Sequence, residues 1–305
     1  MTPYSLLLVM VVTGQEDRPV FRLSTEAVQV DVFVAEDRRA VSGLGLSDFE
    51  LYDDGELRPI DSVTVAEVPL NVMLVLDTSQ SVRGATLLHL NRAAGQFLDE
   101  LGRQDRAGLL TFSHHLSLRS GLTQDVAALK DSLQANEAGG GTAWHDALFA
   151  ALELLEPVRE RPMVLFFTDG GDTYSWLSED QVKAITGRSN AVIYAISRDE
   201  TETMPLLGTM RGEQQYRQKR RDHIARTRLL QEVTVESGGR LIETNSFDRL
   251  QEIFLAILAE MRTRYILTYT PSEPVHGGWH DLEVKVKRKG VDVHSRRGYY
   301  YEPRN

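Results

Sequence analysis

Four short runs, at residues 72–76, 108–112, 163–167 and 191–196, are apolar at every or nearly every position. Segments of helical period separate them. This alternation restricts the fold more than any other feature. A strand that is apolar throughout must be covered on both faces, which is the situation of a parallel sheet under two layers of helices. Between the runs, Leu87, Leu90, Ala94, Phe97, Leu98 and Leu101 fit a 3.6-residue period, as do Val126, Leu129 and Leu133. Phe247, Leu250, Ile253, Phe254, Ile257, Leu258 and Met261 repeat the pattern, and Ser178 with Gln181 reads as a capping box. Residues 69–262 are therefore predicted to form an α/β domain with a doubly wound, mostly parallel sheet.

The flanks read differently. Val28, Val30, Val32 and Val34 alternate with Gln29, Asp31, Phe33 and Ala35, the period of a half-buried strand. Phe49 and Leu51 begin a second strand, Asp54-Gly55 is a hairpin turn signal, and residues 57–66 read as a third strand. After the α/β region, Tyr265, Leu267 and Tyr269 alternate with polar or smaller neighbours, as do Leu282, Val284 and Val286. Neither flank, 20–68 or 263–305, has much core of its own. The expectation is that the two pack together as one β-sandwich with the α/β domain inserted between them. Two separate small domains, or flanks added onto the α/β domain, are the alternatives. Residues 1–19 read as a signal peptide and leader, with an ordinary buried strand over 6–12 as the alternative. Residues 6–12 are apolar, too short for a span of ~20 residues, and Val12 and Gly14 suit positions −3 and −1 of a cleavage site before Gln15. This implies an exported protein. Contact with a membrane is expected only through this segment.

Composition excludes several chemistries. The 305 residues include no cysteine, so disulfides, thiolate zinc sites and a cysteine nucleophile are ruled out. A net charge of −10 argues against a nucleic-acid partner. In a doubly wound fold ligands bind beyond the carboxyl ends of the strands. The residues just past each apolar run are therefore the place to look for a site. The first run leads into Asp77-Thr78-Ser79-Gln80-Ser81, and the third into Thr168-Asp169-Gly170. Between them, Gly139-Gly140-Gly141-Thr142 opens a helix. Oxygen-only donors of this kind suit hard divalent cations such as Mg²⁺.

D-x-S-x-S, then a Gly-rich threonine loop, then T-D-G resembles the von Willebrand factor A-type domain with a metal-ion-dependent adhesion site. Asp77, Ser79, Ser81, Thr142 and Asp169 match its five positions. The resemblance implies that the serines and Thr142 bind Mg²⁺ (or Mn²⁺) directly, with the aspartates acting mostly through water. The flanks, with Asp-Phe-Glu-Leu-Tyr-Asp-Asp-Gly before the domain and Arg-Gly-Tyr-Tyr after it, also resemble a bacterial group of exported proteins built around such a domain. The alternative for Asp77, Ser79 and Ser81 is that they cap the following helix and shape a turn.

With two formal negative charges against a 2+ ion, such a metal stays electrophilic and would attract a carboxylate of a protein partner. The expected function is a non-enzymatic, cation-dependent binding or adhesion module. A metal-dependent hydrolase and an assembly or chaperone factor are the alternatives. Trp144, Tyr174 and Trp176 lie near the motif and are expected at a partner-binding rim. These rings, Trp144 above all and Trp176 equally with the rim, also read as core residues covering helix ends. Asp172 reads as a turn residue or a ligand to a second cation. Arg217, Arg220 and Arg221, in a basic stretch at 211–228, would attract an acidic partner, or form a solvated helix face. No G-x-S-x-G, H-E-x-x-H or phosphate-loop lysine is present.

Overall fold

The computed structural model describes residues 27–301 apart from 38, 66–67, 159, 170, 200–209 and 272–276. The expected signal peptide lies outside the described residues. The first flank contains β1 (Val28–Glu36), β2 (Arg39–Ala40), β3 (Phe49–Asp53), β4 (Glu56–Arg58) and β5 (Ser62–Val65). The central body runs β6 (Asn71–Asp77), α1 (Ala85–Asp99), β7 (Arg106–Phe112), β8 (Leu116–Thr123), α2 (Val126–Gln134), α3 (Trp144–Leu155) and β9 (Pro162–Thr168). It continues with α4 (Glu179–Arg188), β10 (Val192–Arg198), α5 (Met210–Glu236), β11 (Arg240–Thr244) and α6 (Leu250–Arg262). The second flank holds β12 (Tyr265–Tyr269), β13 (Gly278–Val286), β14 (Asp292–Ser295) and β15 (Gly298–Tyr301).

The body sheet has the strand order β11-β10-β9-β6-β7-β8. Its pairs are parallel except β7 with β8, which is antiparallel. Alternate residues of β6 enter two different cores. Val72, Leu74 and Leu76 pack with α1, α2 and α6, while Met73 and Val75 pack with α3, α4 and α5. All seven residues of β6 and of β9 are buried, as strands covered on both faces require. The chain order turns back between β6 and β9, which lie side by side. Their carboxyl ends therefore open onto the crevice where such a sheet takes ligands. No helix among the described residues is long and apolar enough to cross a membrane.

In the flanks, β14-β1-β12-β5 form one sheet, with β2 on β1, and β15-β13-β3-β4 form another. Each sheet combines strands from both ends of the chain. Val30, Val32 and Val34 of β1, Leu51 of β3, Leu267 of β12 and Val284 of β13 share one apolar cluster. The expected hairpin forms: Asp54 and Gly55 both have positive φ, and Asp53 pairs with Glu56. The single strand expected over 57–66 is corrected to two, β4 and β5. Pro59 has no N–H to continue the ladder, and the chain changes sheets there, from a pairing with β3 to one with β12.

Three buried arginines tie the body to the flanks, among them Arg296, which donates from Nη1 to Asn190 Oδ1 at 2.6 Å. Arg264, fully buried, donates from Nη1 to the Tyr194 hydroxyl at 2.7 Å and from Nη2 to the Gly238 carbonyl at 2.7 Å. It also reaches the Asp31 and His294 carbonyls at 3.4 and 3.3 Å. Arg161 donates to the Met261 carbonyl at 2.6 Å and lies 3.4 Å from the Asp31 carboxylate. Its φ of +37° holds it in the left-handed region, which a non-glycine residue adopts only when its surroundings enforce it.

Candidate functional site

Asp77 ends β6 with its side chain wholly buried. One carboxylate oxygen accepts the Ser79 N–H at 2.7 Å, and the other accepts the Thr168 hydroxyl at 2.7 Å. The Ser79 and Ser81 hydroxyls are 2.9 Å apart, and Ser81 donates to Asp169 Oδ1 at 2.6 Å. The ends of β6 and β9 are thus joined by a continuous polar chain. Neither serine caps α1. The N-cap of α1 is Gly84, and Ser79, which precedes a single 3-10 turn, makes no capping bond. The Asp77 bond to the Ser79 N–H does shape the turn between β6 and α1.

Thr142 reaches the same place through its backbone. Gly139 N–H donates to the Thr78 carbonyl and Gln80 N–H to the Gly140 carbonyl, at 2.8 and 3.0 Å. The Thr142 carbonyl accepts from the Thr173 and Tyr174 N–H groups, and its own N–H donates to the Thr173 hydroxyl. The Thr142 hydroxyl itself makes no hydrogen bond among the described residues. The glycine run makes this close approach feasible. Gly140 has φ +82°, and a Cβ there would fall 1.9 Å from the His114 ring. A Cβ on Gly141 would meet the Tyr174 ring at 2.9 Å.

Ser79, Thr142 and Asp169 are buried, whereas Ser81 is exposed, so the cluster is closed below and open at one corner. Burial pushes the Asp77 carboxyl up to about 6, against the hydrogen bonds from Ser79 and Thr168 that favour its charge. This carboxylate lies in a poorly solvated place, with the charge of Asp169 raising it further. Two aspartates with three hydroxyls form an all-oxygen donor set that fits a hard divalent cation.

The neighbouring residues separate into two groups. Tyr174 is 58% exposed and Trp176 is 94% exposed. Trp144 is corrected: at 1% exposure it is a core residue packed on Phe166, with no surface to offer a partner. It is the first residue of α3, turned into the core shared with Leu148 and Val164. Arg217, Arg220 and Arg221 are exposed on the first half of α5. Further along α5, Arg226 packs over Gly171 and, with Arg198 and His223, lines a small cleft against Asp169. Thr168, which bonds Asp77, was not singled out from sequence, although it begins the T-D-G motif.

Asp172 is a turn and capping residue. It accepts the Trp144 N–H at 2.9 Å and the Ser175 hydroxyl at 2.6 Å. Asp172→Ala is expected to lower stability by about 1–2 kcal/mol, because it strips a helix N-terminus of its acceptor. Urea unfolding with an unchanged m-value would measure this loss.

Residues 72–171 match the family model described as von Willebrand factor type A domain. The chain carries such a domain. Inter-alpha-trypsin inhibitor heavy chain H4 of Sus scrofa is 32% identical over 117 residues, covering 35% of this chain and 13% of that protein. A UPF0353 protein of Mycolicibacterium paratuberculosis is 25% identical over 216 residues, covering 65% of this chain and 62% of that one. The chain thus spans less than two thirds of either relative. Among solved structures, a von Willebrand factor type A protein from Catenulispora acidiphila aligns with a TM-score of 0.51 at 10% identity, over 92% of this chain and 75% of that one. Proximal thread matrix protein 1 of the mussel byssus, with a zinc-occupied MIDAS motif, aligns with a TM-score of 0.50 at 17% identity, over 68% and 49%. These two likenesses are of fold.

Proposed function

We propose that this protein is a divalent-cation-dependent protein-binding module, with Asp77, Ser79, Ser81, Thr142 and Asp169 holding Mg²⁺ or Mn²⁺. The observation that carries the reading is the hydrogen-bonded chain from Asp77 through Ser79 and Ser81 to Asp169, at the ends of adjacent strands. The motif that bears zinc in the mussel protein supports it by analogy. A bound cation would supply a Lewis-acidic point for a carboxylate of the partner. The chain's own residues would do the rest. Asp77 and Asp169 balance the charge, the neutral hydroxyls as direct ligands leave the ion electrophilic, and exposed Tyr174 and Trp176 add apolar contact area. Arg217, Arg220 and Arg221 would draw an acidic partner towards this side. The reading assigns no catalysis to the site. It places the domain at 69–262, as a doubly wound insert between flanks 20–68 and 263–305 that form one sandwich, in an exported protein.

An array of peptides presenting single Asp or Glu residues in varied surroundings tests this. Binding is expected in Mg²⁺, with loss in chelator, in Ser81→Ala and on peptides where Asn or Gln replaces the acid. Capture that survives chelation, or that ignores amidation, would refute the cation bridge.

A further inference from the structure

The β flank contains a second cluster of metal-ligating groups. Asp53 ends β3 at 3% exposure, Asp54 opens the hairpin turn, and His280 lies on β13 at 4% exposure. His280 Nδ1 is 2.9 Å from Asp54 Oδ2 and 3.3 Å from Asp53 Oδ1. One ligand atom from each of the three residues lies within 4.8 Å of the others. A single Nδ1 carries at most one proton, and the shorter contact directs it to Asp54. Asp53 Oδ1 is correspondingly buried with no hydrogen-bond partner. The cluster therefore offers two carboxylates and one imidazole with a single proton to share.

The surroundings hold the ligands in place. The hydroxyls of Tyr269 and Tyr299 donate to Asp53 Oδ2 at 2.9 and 3.3 Å. The His280 ring stacks on Tyr299 with centroids 4.9 Å apart. Asp281 N–H donates to Asp54 Oδ1 at 2.9 Å, leaving Oδ2 directed at the imidazole. Outer hydrogen bonds of this kind orient ligands in metal sites. The Asp54 side chain is 38% exposed, which gives an ion a route in and water a place beside it.

We propose that Asp53, Asp54 and His280 bind a first-row transition metal of the Zn²⁺ or Co²⁺ type. Replacing the shared proton by the ion supplies all three ligands at once. The imidazole nitrogen favours such a metal over Mg²⁺, which prefers oxygen and gives up its water reluctantly. The site is separate in composition from the all-oxygen cluster of Asp77 and independent of it.

The test is Co²⁺ titration of the full chain, followed by visible absorption, in excess Mg²⁺ so that oxygen-only sites are masked. One equivalent is expected to bind with a ligand-field band that disappears in His280→Gln. Asp54→Asn is the decisive variant because Asn-Gly still suits the turn and the amide oxygen still accepts the Asp281 N–H. It is expected to weaken Co²⁺ binding about tenfold or more with unchanged circular dichroism. Absence of a saturable band in the native chain would overturn the proposal. So would Asp54→Asn binding Co²⁺ as tightly as the native chain, since binding would then lie elsewhere.

Discussion

Mg²⁺ is expected to raise the unfolding temperature of the full chain, and Asp77→Ala to abolish the rise. An ion that binds only the folded state adds about 2.7 kcal/mol at one hundred times its Kd. That corresponds to roughly 5–10 °C for a cooperative unit of about 200 residues. The effect should be large here because the five proposed donors come from three loops that hydrogen bonds have already brought together. Little ordering remains to offset binding. Without Mg²⁺ the substitution should change stability less. It removes a buried, desolvated carboxylate, a gain, but strands the Ser79 N–H and the Thr168 hydroxyl that bonded to it, a loss. The informative quantity is the difference between native and variant shifts, read by calorimetry with Mg²⁺ and with chelator. Equal shifts in both would place the cation away from Asp77.

Arg264→Ala is expected to cost about 3–5 kcal/mol, the range for breaking a buried ionic network by deleting one partner. Its guanidinium is fully buried and serves the Tyr194 hydroxyl together with carbonyls on the body and on the flank. Truncation leaves the Gly238 carbonyl without that donor. It also leaves Asp31 and Glu260, each 3.9 Å from the guanidinium, with less positive charge nearby. Arg264→Met should cost less, since it fills much of the space but restores no hydrogen bond. Guanidinium unfolding of the three proteins measures this order. A loss below about 1 kcal/mol for Arg264→Ala would mean that the surroundings collapse or hydrate at little cost.

The buried strands were legible because residues covered on both faces must be apolar throughout. β6, β7, β9 and β10 all came from that signal. β8 and β11 were missed because they lie at the sheet edges, where sequences such as LSLRSGLT mix exposed and half-buried residues. The motif residues were legible because three of the five lie within one pentapeptide and the rest keep their order. The core reading that the sequence offered for Trp144 holds, whereas for Trp176 the sequence left core and rim open. Each lies close to a helix start, and only tertiary packing decides that one fills the core and the other faces water. The arginine ties and the His280 cluster were also out of reach, since they join groups from opposite ends of the chain.

The way the chain enters and leaves the body has a mechanical meaning. β5 ends at Val65 and β12 begins at Tyr265, and these two residues face each other as the last pair of their ladder. Tension that drew the body away from the flank would pull on adjacent strands from the same end. Such loading opens a ladder one rung at a time and shears no rungs together. Resistance at this joint would therefore come less from the strands than from Arg161, Arg264 and Arg296, whose side chains span body and flank. If the proposed site grips a partner at the carboxyl ends of β6 and β9, load would reach these three residues first, while the site itself stayed folded.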